Sequence, residues 1–282
     1  MNEKSDNAEA GRIEEMLSED QFEPEFTGRY REYVWIKEAL GGFWADKVFT
    51  DVLYRVKPGK EATVYCLRAH PSTRLGLIAA KIYRPRMFRA MRNDWIYRQG
   101  RNTLDEEGKT VRDRRSKLAM RKKTRFGKHL ITASWNLNEY QTLSTLHAAG
   151  ADVPRPIAHG HNCILMEHIG DEQQAAPILQ AVHLDPGEAR RVFDRLIENV
   201  TLFLKCDLIH ADLSAYNVLY WDGHATIIDF PQAVDPWKNP SAFALFARDI
   251  ERLCKYFSRL GVACDPVGIT TDLWERLMRR HL

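Results

Sequence analysis

The first half of the chain contains apolar runs with the length and composition of short β-strands. β-Branched and aromatic residues dominate these runs, and turn-forming residues stand between them. The predicted strands are Val52–Val56, Ala62–Leu67 and Leu77–Tyr83, with a turn at Pro58-Gly59 between the first two. A short helix is predicted over Tyr33–Leu40, before Gly41-Gly42. The pattern indicates an antiparallel sheet built from hairpins.

The second half is mostly helical in pattern. The predicted elements are a helix over Ser134–Ala149, a strand over Cys163–Glu167, a helix from Asp185-Pro186 to about Lys205, a hairpin of Val218–Trp221 and Ala225–Ile228 around Asp222-Gly223, and a helical C-terminal stretch. A sheet with one helix followed by helices predicts an α+β protein of two lobes. We divide it into an acidic tail and short helix (1–50), an N-lobe (51–168) and a C-lobe (169–282).

Composition narrows the class of protein. Hydrophobic residues make up 44% of the chain and charged residues 28%, as in ordinary globular proteins. No apolar stretch is long enough to cross a bilayer, and the N-terminus lacks the pattern of a secretory signal. The five cysteines are scattered and form no Cys-x-x-Cys pair, which argues against a disulfide framework or a structural zinc site. We expect a cytoplasmic protein without a membrane partner.

The charge is unevenly distributed. Residues 84–128 hold 16 Lys or Arg against 5 Asp or Glu, a net charge of +11, whereas the whole chain carries only +3. The rest of the chain is therefore acidic, with −8. This basic segment lies between the third strand and the helix that follows it. It predicts either a surface for RNA or a ribosomal particle, a cover over bound phosphates, or a solvated insert.

The strongest chemical signal is a set of three polar residues around the second hairpin. Phosphoryl transfer needs a carboxylate near the attacking hydroxyl and oxygen ligands for Mg²⁺. If Asp222-Gly223 is a two-residue turn, counting outward places Asn217 opposite Ile228 and hence beside Asp229. We therefore predict Asn217 and Asp229 as metal ligands. Asp212, five residues before Asn217, has the offset of the catalytic aspartate in the kinase loop H-R-D-x-x-x-x-N.

The histidine of this segment has a different expected role. His210 and Asp212 form a His-x-Asp pair, but no further histidine follows at the spacing of a metal site. We expect His210 to be a hydrogen-bonded structural residue that shapes the loop.

A second signal is a lysine inside an apolar strand. Burying Lys81 is costly unless it is paired. The following helix supplies a partner, because Glu139 lies on its apolar stripe, which consists of Trp135, Glu139, Leu143 and Leu146. A Lys81–Glu139 pair is either a structural salt bridge or the ion pair that positions ATP phosphates in kinases.

Weaker signals complete a nucleotide site. Lys60 follows Gly59 in the first hairpin turn, where a phosphate-covering loop would lie, although only one glycine is present there. The segment Leu165–Gly170 links the two lobes, and its backbone groups can hydrogen-bond adenine. Both assignments depend on the stronger signals.

Taken together, the motifs resemble the RIO family of atypical serine/threonine protein kinases. The resemblance runs from about Val52 to Leu260 and rests on these segments: Gly59-Lys60-Glu61-Ala62, Lys81-Ile82-Tyr83, Ala176-Pro177-Ile178-Leu179, His210-Ala211-Asp212-Leu213-Ser214 with Tyr216-Asn217, Ile227-Ile228-Asp229, and Phe246-Ala247-Arg248-Asp249. The chain is most similar to the branch without an N-terminal winged helix, and a bacterial or archaeal member is expected.

The resemblance implies a bilobal kinase fold with a reduced C-lobe, and ATP and Mg²⁺ as cofactors, with Mn²⁺ as an alternative ion. By position, Asp212 would be the catalytic base, and Asp229 a metal ligand able to become an aspartyl-phosphate. The other implied roles are a phosphate contact for Lys81, adenine contacts for the backbones of Glu167 and Ile169, and a brace on the catalytic loop for Asp249. Pro231 stands where ordinary kinases have a hinge glycine, which argues against an in/out flip of this segment.

Three functions remain open from the sequence. The favoured one is a serine/threonine protein kinase that transfers the γ-phosphate to protein hydroxyls and autophosphorylates. A small-molecule kinase of the aminoglycoside-kinase type has a similar His-x-Asp-x-x-x-x-Asn loop. The third is an ATPase-switched assembly factor that binds RNA or a ribosome through residues 84–128.

Overall fold

The structure is a computed structural model and describes residues 22, 30–59, 62–83, 96–97, 99, 103–105, 108–122 and 124–282. The helices are α1 (Tyr30–Ala45), α2 (Arg114–Arg121), α3 (Arg125–Ala148), α4 (Pro186–Lys205), α5 (Ala242–Ser258) and α6 (Pro266–Met278). The strands are β1 (Phe49–Pro58), β2 (Ala62–Ala69), β3 (Leu77–Tyr83), β4 (Pro156–His159), β5 (Cys163–Glu167), β6 (Val218–Trp221) and β7 (His224–Ile227). Within these ranges, no helix combines the length and apolar composition needed to cross a membrane.

The N-lobe contains a five-stranded antiparallel sheet in the order β1-β2-β3-β5-β4. Strand β3 lies at its centre, with Lys81 opposite Val64 on one side and Ile164 on the other. The apolar residues of β3 are buried except for the partly exposed Leu77, as expected for a central strand. The sheet predicted from the apolar runs is therefore present, and it places Lys81 in the middle of the lobe.

Helix α1 packs on this sheet. Its Ile36 and Leu40 are fully buried and share one core with Val52 and Leu67 of the sheet. The predicted end of this helix before Gly41-Gly42 is wrong, because the helix continues to Ala45. A glycine inside a helix costs only about 1 kcal/mol relative to alanine, which packing on the sheet offsets.

Helix α3 joins the two lobes. It begins at Arg125, nine residues earlier than the predicted Ser134, because Thr124 caps its first turn by accepting a hydrogen bond from the Gly127 amide. Its C-terminal Leu143 and Leu146 are buried in the large core of the C-lobe. The end of the basic segment is thus helical and continuous with the helix that carries Glu139.

The C-lobe core is formed by α4, α5, α6 and the β6–β7 hairpin. Helix α4 has the predicted bounds, with Asp185 as the N-cap that accepts a hydrogen bond from Glu188. In the hairpin Trp221 pairs with His224, as expected, although β7 ends at Ile227 rather than Ile228. Hydrogen bonds hold the loop before the hairpin against α5.

Candidate active site

A three-residue ionic cluster lies between the sheet and the hairpin. The Nζ atom of Lys81 lies 2.6 Å from Oε1 of Glu139 and 2.5 Å from Oδ1 of Asp229. Glu139 lies on the buried stripe of α3, as its apolar neighbours Trp135, Leu143 and Leu146 predicted. The sequence prediction of a Lys81–Glu139 pair is confirmed, and the structure adds Asp229 to it.

Burial and charge have opposite effects on this cluster. Burial alone would lower the pKa of Lys81, but the carboxylates of Asp229 and Glu139 outweigh it and hold that pKa above its usual value. Burial raises the pKa of Glu139 despite the nearby ammonium. For Asp229, burial would raise the pKa, yet the Lys81 ammonium outweighs it and the pKa lies below its usual value. Lys81 is therefore a fixed cation at this site.

Tyr83 completes the pair and was missed by the sequence reasoning. Its hydroxyl donates a hydrogen bond to Oε2 of Glu139, and its ring is almost fully buried. The available signal was strand periodicity, since residues 81 and 83 of one strand face the same side of the sheet. Glu139 is thus held by a donor at each carboxylate oxygen.

The hairpin brings two oxygen-bearing side chains to its open end. The Ile228 amide donates to the Asn217 carbonyl at 2.9 Å, so the strand ladder continues one pair beyond β6 and β7. Asp229 follows directly, with a left-handed φ of 75° that turns the chain away from the ladder. The predicted placement of Asn217 beside Asp229 agrees with this register.

These donors have the chemistry of a magnesium site. Mg²⁺ prefers hard oxygen ligands, and it is commonly held by one or two carboxylates together with substrate phosphates. Asp229 supplies a carboxylate and Asn217 an amide oxygen. Among the described residues no group of three His, Cys, Asp or Glu side chains is placed to hold a metal. One carboxylate together with one amide oxygen fits an ion that also binds substrate phosphates.

Asp212 lies on the loop before the hairpin and is held from two directions. The Asn217 side-chain amide donates to the Asp212 carbonyl at 2.9 Å and approaches its Oδ2 at 3.4 Å. A guanidinium nitrogen of Arg252, on α5, donates to Oδ1 at 2.8 Å. The carboxylate is about one-third exposed, so an acceptor hydroxyl can reach it.

His210 braces the same loop as a neutral side chain. Its Nε2 lies 3.1 Å from the Ile228 carbonyl, and its Nδ1 accepts from the Asp212 amide at 3.3 Å. The first contact needs a proton on Nε2 and the second a lone pair on Nδ1, which together require the neutral ring. Burial lowers its pKa, in agreement with that state. The structural role expected for His210 matches these contacts.

Asp249, on α5, binds the backbone of the loop that contains Asp212. Its carboxylate accepts a hydrogen bond from the Leu213 amide at 3.0 Å and is almost completely buried. Burial raises the pKa of Asp249 to about 7, against the opposing effect of Arg248. The contact agrees with the bracing role that the resemblance implied.

The remaining predicted nucleotide contacts are placed only in part. The Glu167 amide donates to the Arg155 carbonyl at 2.8 Å, and the Ile169 carbonyl accepts from the Ala176 amide at 2.8 Å. These bonds fix the connection between the lobes, while adenine contacts by the Glu167 and Ile169 backbones stay a prediction. Lys60 lies outside the described residues.

Comparison with known proteins gives the family. A family model described as the RIO domain matches residues 93–268. The RIO-type serine/threonine-protein kinase Rio1 of Thermoplasma acidophilum is 33% identical over 146 residues, which are 51% of this chain and 74% of that protein. The serine/threonine-protein kinase rio1 of Schizosaccharomyces pombe is 35% identical over 132 residues, 46% of this chain but only 26% of that protein.

Solved structures agree on the fold. The chain is similar to the Rio2 kinase of Chaetomium thermophilum in its ADP/Mg²⁺-phosphoaspartate complex, with a TM-score of 0.58 and 21% identity over 93% of this chain and 73% of that one. The predicted bilobal α+β kinase-like fold is confirmed. With the RIO domain model spanning more than half of its length, the chain belongs to the RIO family.

Proposed function

We propose that this protein is an ATP- and Mg²⁺-dependent serine/threonine protein kinase that transfers the γ-phosphate of ATP to protein hydroxyls, including its own. The proposal rests on the ionic contacts of Lys81 with Glu139 and Asp229. The loop that contains Asp212 and Asn217 lies beside this cluster. Three relatives, which match 46%, 51% and 51% of this chain, are named serine/threonine-protein kinases. The five cysteines are unpaired, as is usual in a reducing compartment, and we place the activity in the cytoplasm.

Each residue has a task in this reaction. Lys81, held in place by Glu139, offers a fixed positive charge to the phosphates. Asp212 accepts the proton of the acceptor hydroxyl and orients it for attack. Asn217 and Asp229 would hold Mg²⁺, which when bound neutralises charge on the phosphates. Because one structural relative is described as a phosphoaspartate complex, Asp229 is also our candidate for a phosphate-accepting side chain.

The experiment measures transfer of ³²P from γ-labelled ATP to the protein itself and to a general protein acceptor, with Mg²⁺ or with excess chelator. Lys81→Ala and Asp212→Ala should each lower transfer by at least about a hundredfold, because each removes charge or positioning needed in the transition state. Arg190→Ala, which removes a surface ion pair with Asp194 on α4, is the matched control and should keep parental activity. Near-parental transfer by folded Asp212→Ala would refute the assignment.

RNA binding is a second candidate function, supported by helix α2. All its described basic side chains are exposed, namely Arg114, Arg115, Lys117 and Arg121. Cations arranged in this way contact phosphates irrespective of base sequence. Release of inorganic phosphate in the presence and absence of RNA, measured beside protein phosphorylation, distinguishes an RNA-stimulated ATPase from a protein kinase.

A further inference from the structure

Helix α5 contacts the loop of Asp212 at three successive residues. Arg248 donates to the Ala211 carbonyl, Asp249 accepts from the Leu213 amide, and Arg252 pairs with the carboxylate of Asp212 between them. Positions 248 and 252 are one helical turn apart and lie on the same face. Arg248 and Asp249 bind the backbone and fix the course of the loop. Arg252 instead contacts the side chain of Asp212, the proposed proton acceptor.

The loop itself gives the Asp212 side chain little support. Ala211, directly before it, has a left-handed φ of 63°, which is unfavourable for a residue with a Cβ atom. The approach of the Asn217 amide to Oδ2 is long, at 3.4 Å, whereas the Arg252 contact to Oδ1 is 2.8 Å. Arg252 therefore makes the shorter and charge-assisted contact, the kind that best fixes a carboxylate.

A contribution to folding stability does not explain this ion pair. The Arg252 and Asp212 side chains are 40% and 36% exposed, and pairs with such exposure contribute little to folding. A fixed carboxylate direction, however, matters for catalysis, because small errors in the position of a reacting group cost large factors in rate. The Arg252 contact leaves room for an acceptor hydroxyl, because each carboxylate oxygen can accept two hydrogen bonds.

We propose that Arg252 is a positioning residue for phosphotransfer, which holds the Asp212 carboxylate in the direction needed to receive the acceptor hydroxyl. The inference rests on the proposed kinase function and adds to it a residue that lies outside the nucleotide site. It predicts a specific kinetic signature. Loss of Arg252 lowers kcat while the KM for ATP is unchanged, because Arg252 contacts neither Lys81 nor Asp229.

The test compares Arg252→Gln, Arg252→Lys and the matched control Arg190→Gln. Arg190 forms a 2.8 Å ion pair with Asp194, one turn further along the exposed face of α4. We expect Arg252→Gln to lower kcat by roughly tenfold or more with the KM for ATP within about twofold of parent. Arg252→Lys, which keeps the charge, should recover part of the loss, and Arg190→Gln should match the parent.

Two results would overturn the proposal. A kcat for Arg252→Gln within about twofold of the parent means that Asp212 does not need the guanidinium. A raised kcat means that Arg252 blocks the acceptor instead of preparing its site.

An NMR comparison separates this inference from the proposed function. The guanidinium signals of Arg252 are compared in the parent and in Asp212→Asn, with the signals of Arg190 as the reference. A change in the Arg252 signals supports the contact even in a protein that shows no phosphotransfer, in which case the proposed function fails and the pairing stands. Unchanged Arg252 signals show that the two side chains do not interact, and the positioning role is then rejected.

Discussion

Among single residues, His210 makes the stability of the protein depend on pH. Burial holds its pKa below the usual value of about 6.5, although the facing carboxylates of Asp229 and Asp212 act in the opposite direction. Below pH 6.5, therefore, His210 is protonated in the unfolded chain but stays neutral in the native state. The native state loses stability as the pH falls, by up to about 1.4 kcal/mol at pH 5.5.

The measurement is the free energy of unfolding at pH 7.5 and 5.5 for the parent and His210→Gln. Other buried groups titrate in this range, including His168, whose pKa burial lowers, and Asp249, whose pKa burial raises to about 7. They are common to both proteins, so the difference between the two pH slopes isolates His210. The variant should lose less stability on acidification. Equal slopes would show that the His210 ring is not held neutral.

At the level of elements, helix α5 carries the loop of Asp212. Asp249→Ala leaves the buried Leu213 amide without its acceptor, and an unsatisfied buried donor costs about 1–3 kcal/mol. We expect the free energy of unfolding to fall by this amount. The rate of phosphotransfer should fall as well, because the loop that carries Asp212 loses its support. Chemical denaturation and ³²P transfer measure the two effects.

Asp272→Ala is the matched control for this helix contact. Asp272 is exposed on α6 and pairs only loosely with Arg276, at 3.4 Å, so its loss should change stability by less than about 0.5 kcal/mol. If Asp249→Ala is as stable and as active as Asp272→Ala, the helix does not brace the loop.

On the scale of the whole molecule, described residues of the basic segment contact the C-lobe. The Asn239 side-chain amide donates to the Ile96 carbonyl at 2.7 Å, and Ile96 and Tyr97 pack on the C-lobe core. Helix α2 then presents its cations to solvent, while Phe126 beside them is 50% exposed. The segment also contains Phe88 and Trp95, which lie outside the described residues. The segment thus combines cations with an exposed ring, as RNA-binding surfaces do.

The prediction is salt-dependent RNA binding through α2. Replacing Arg114, Arg115 and Lys117 by Ala should weaken binding to single-stranded RNA and lower the slope of log K against log salt by about 2, at roughly 0.7 per lost phosphate contact. A filter-binding titration at several salt concentrations measures both quantities. The control replaces three cations of the C-lobe, Arg190, Lys238 and Arg279, each of which already pairs with a carboxylate.

Three outcomes would remove the RNA role. Binding that is independent of salt is incompatible with phosphate contacts. Unchanged RNA binding with a raised KM for ATP would instead make the segment a cover over the nucleotide site. If the α2 variant changes neither quantity, the segment is a solvated insert.

Local sequence was enough to predict the parts of the site that depend on short-range geometry. The turn at Asp222-Gly223 fixes the hairpin register, and the register alone places Asn217 beside Asp229. The helical period places Glu139 on a buried face, where it needs a cation such as Lys81. Both inferences use spacings of a few residues along one element, which backbone geometry determines almost by itself.

Contacts between elements were decided only by the tertiary structure. The pairing of Arg252 with Asp212 and of Tyr83 with Glu139 joins residues 40 and 56 positions apart, and no local period relates them. The bracing role of Asp249 followed only from family resemblance. Such pairs depend on how α5 and α3 pack against loop and sheet, and that packing is set by the fit of whole buried surfaces. Sequence period therefore determined which faces are buried, and only the assembled cores determined which side chains meet across them.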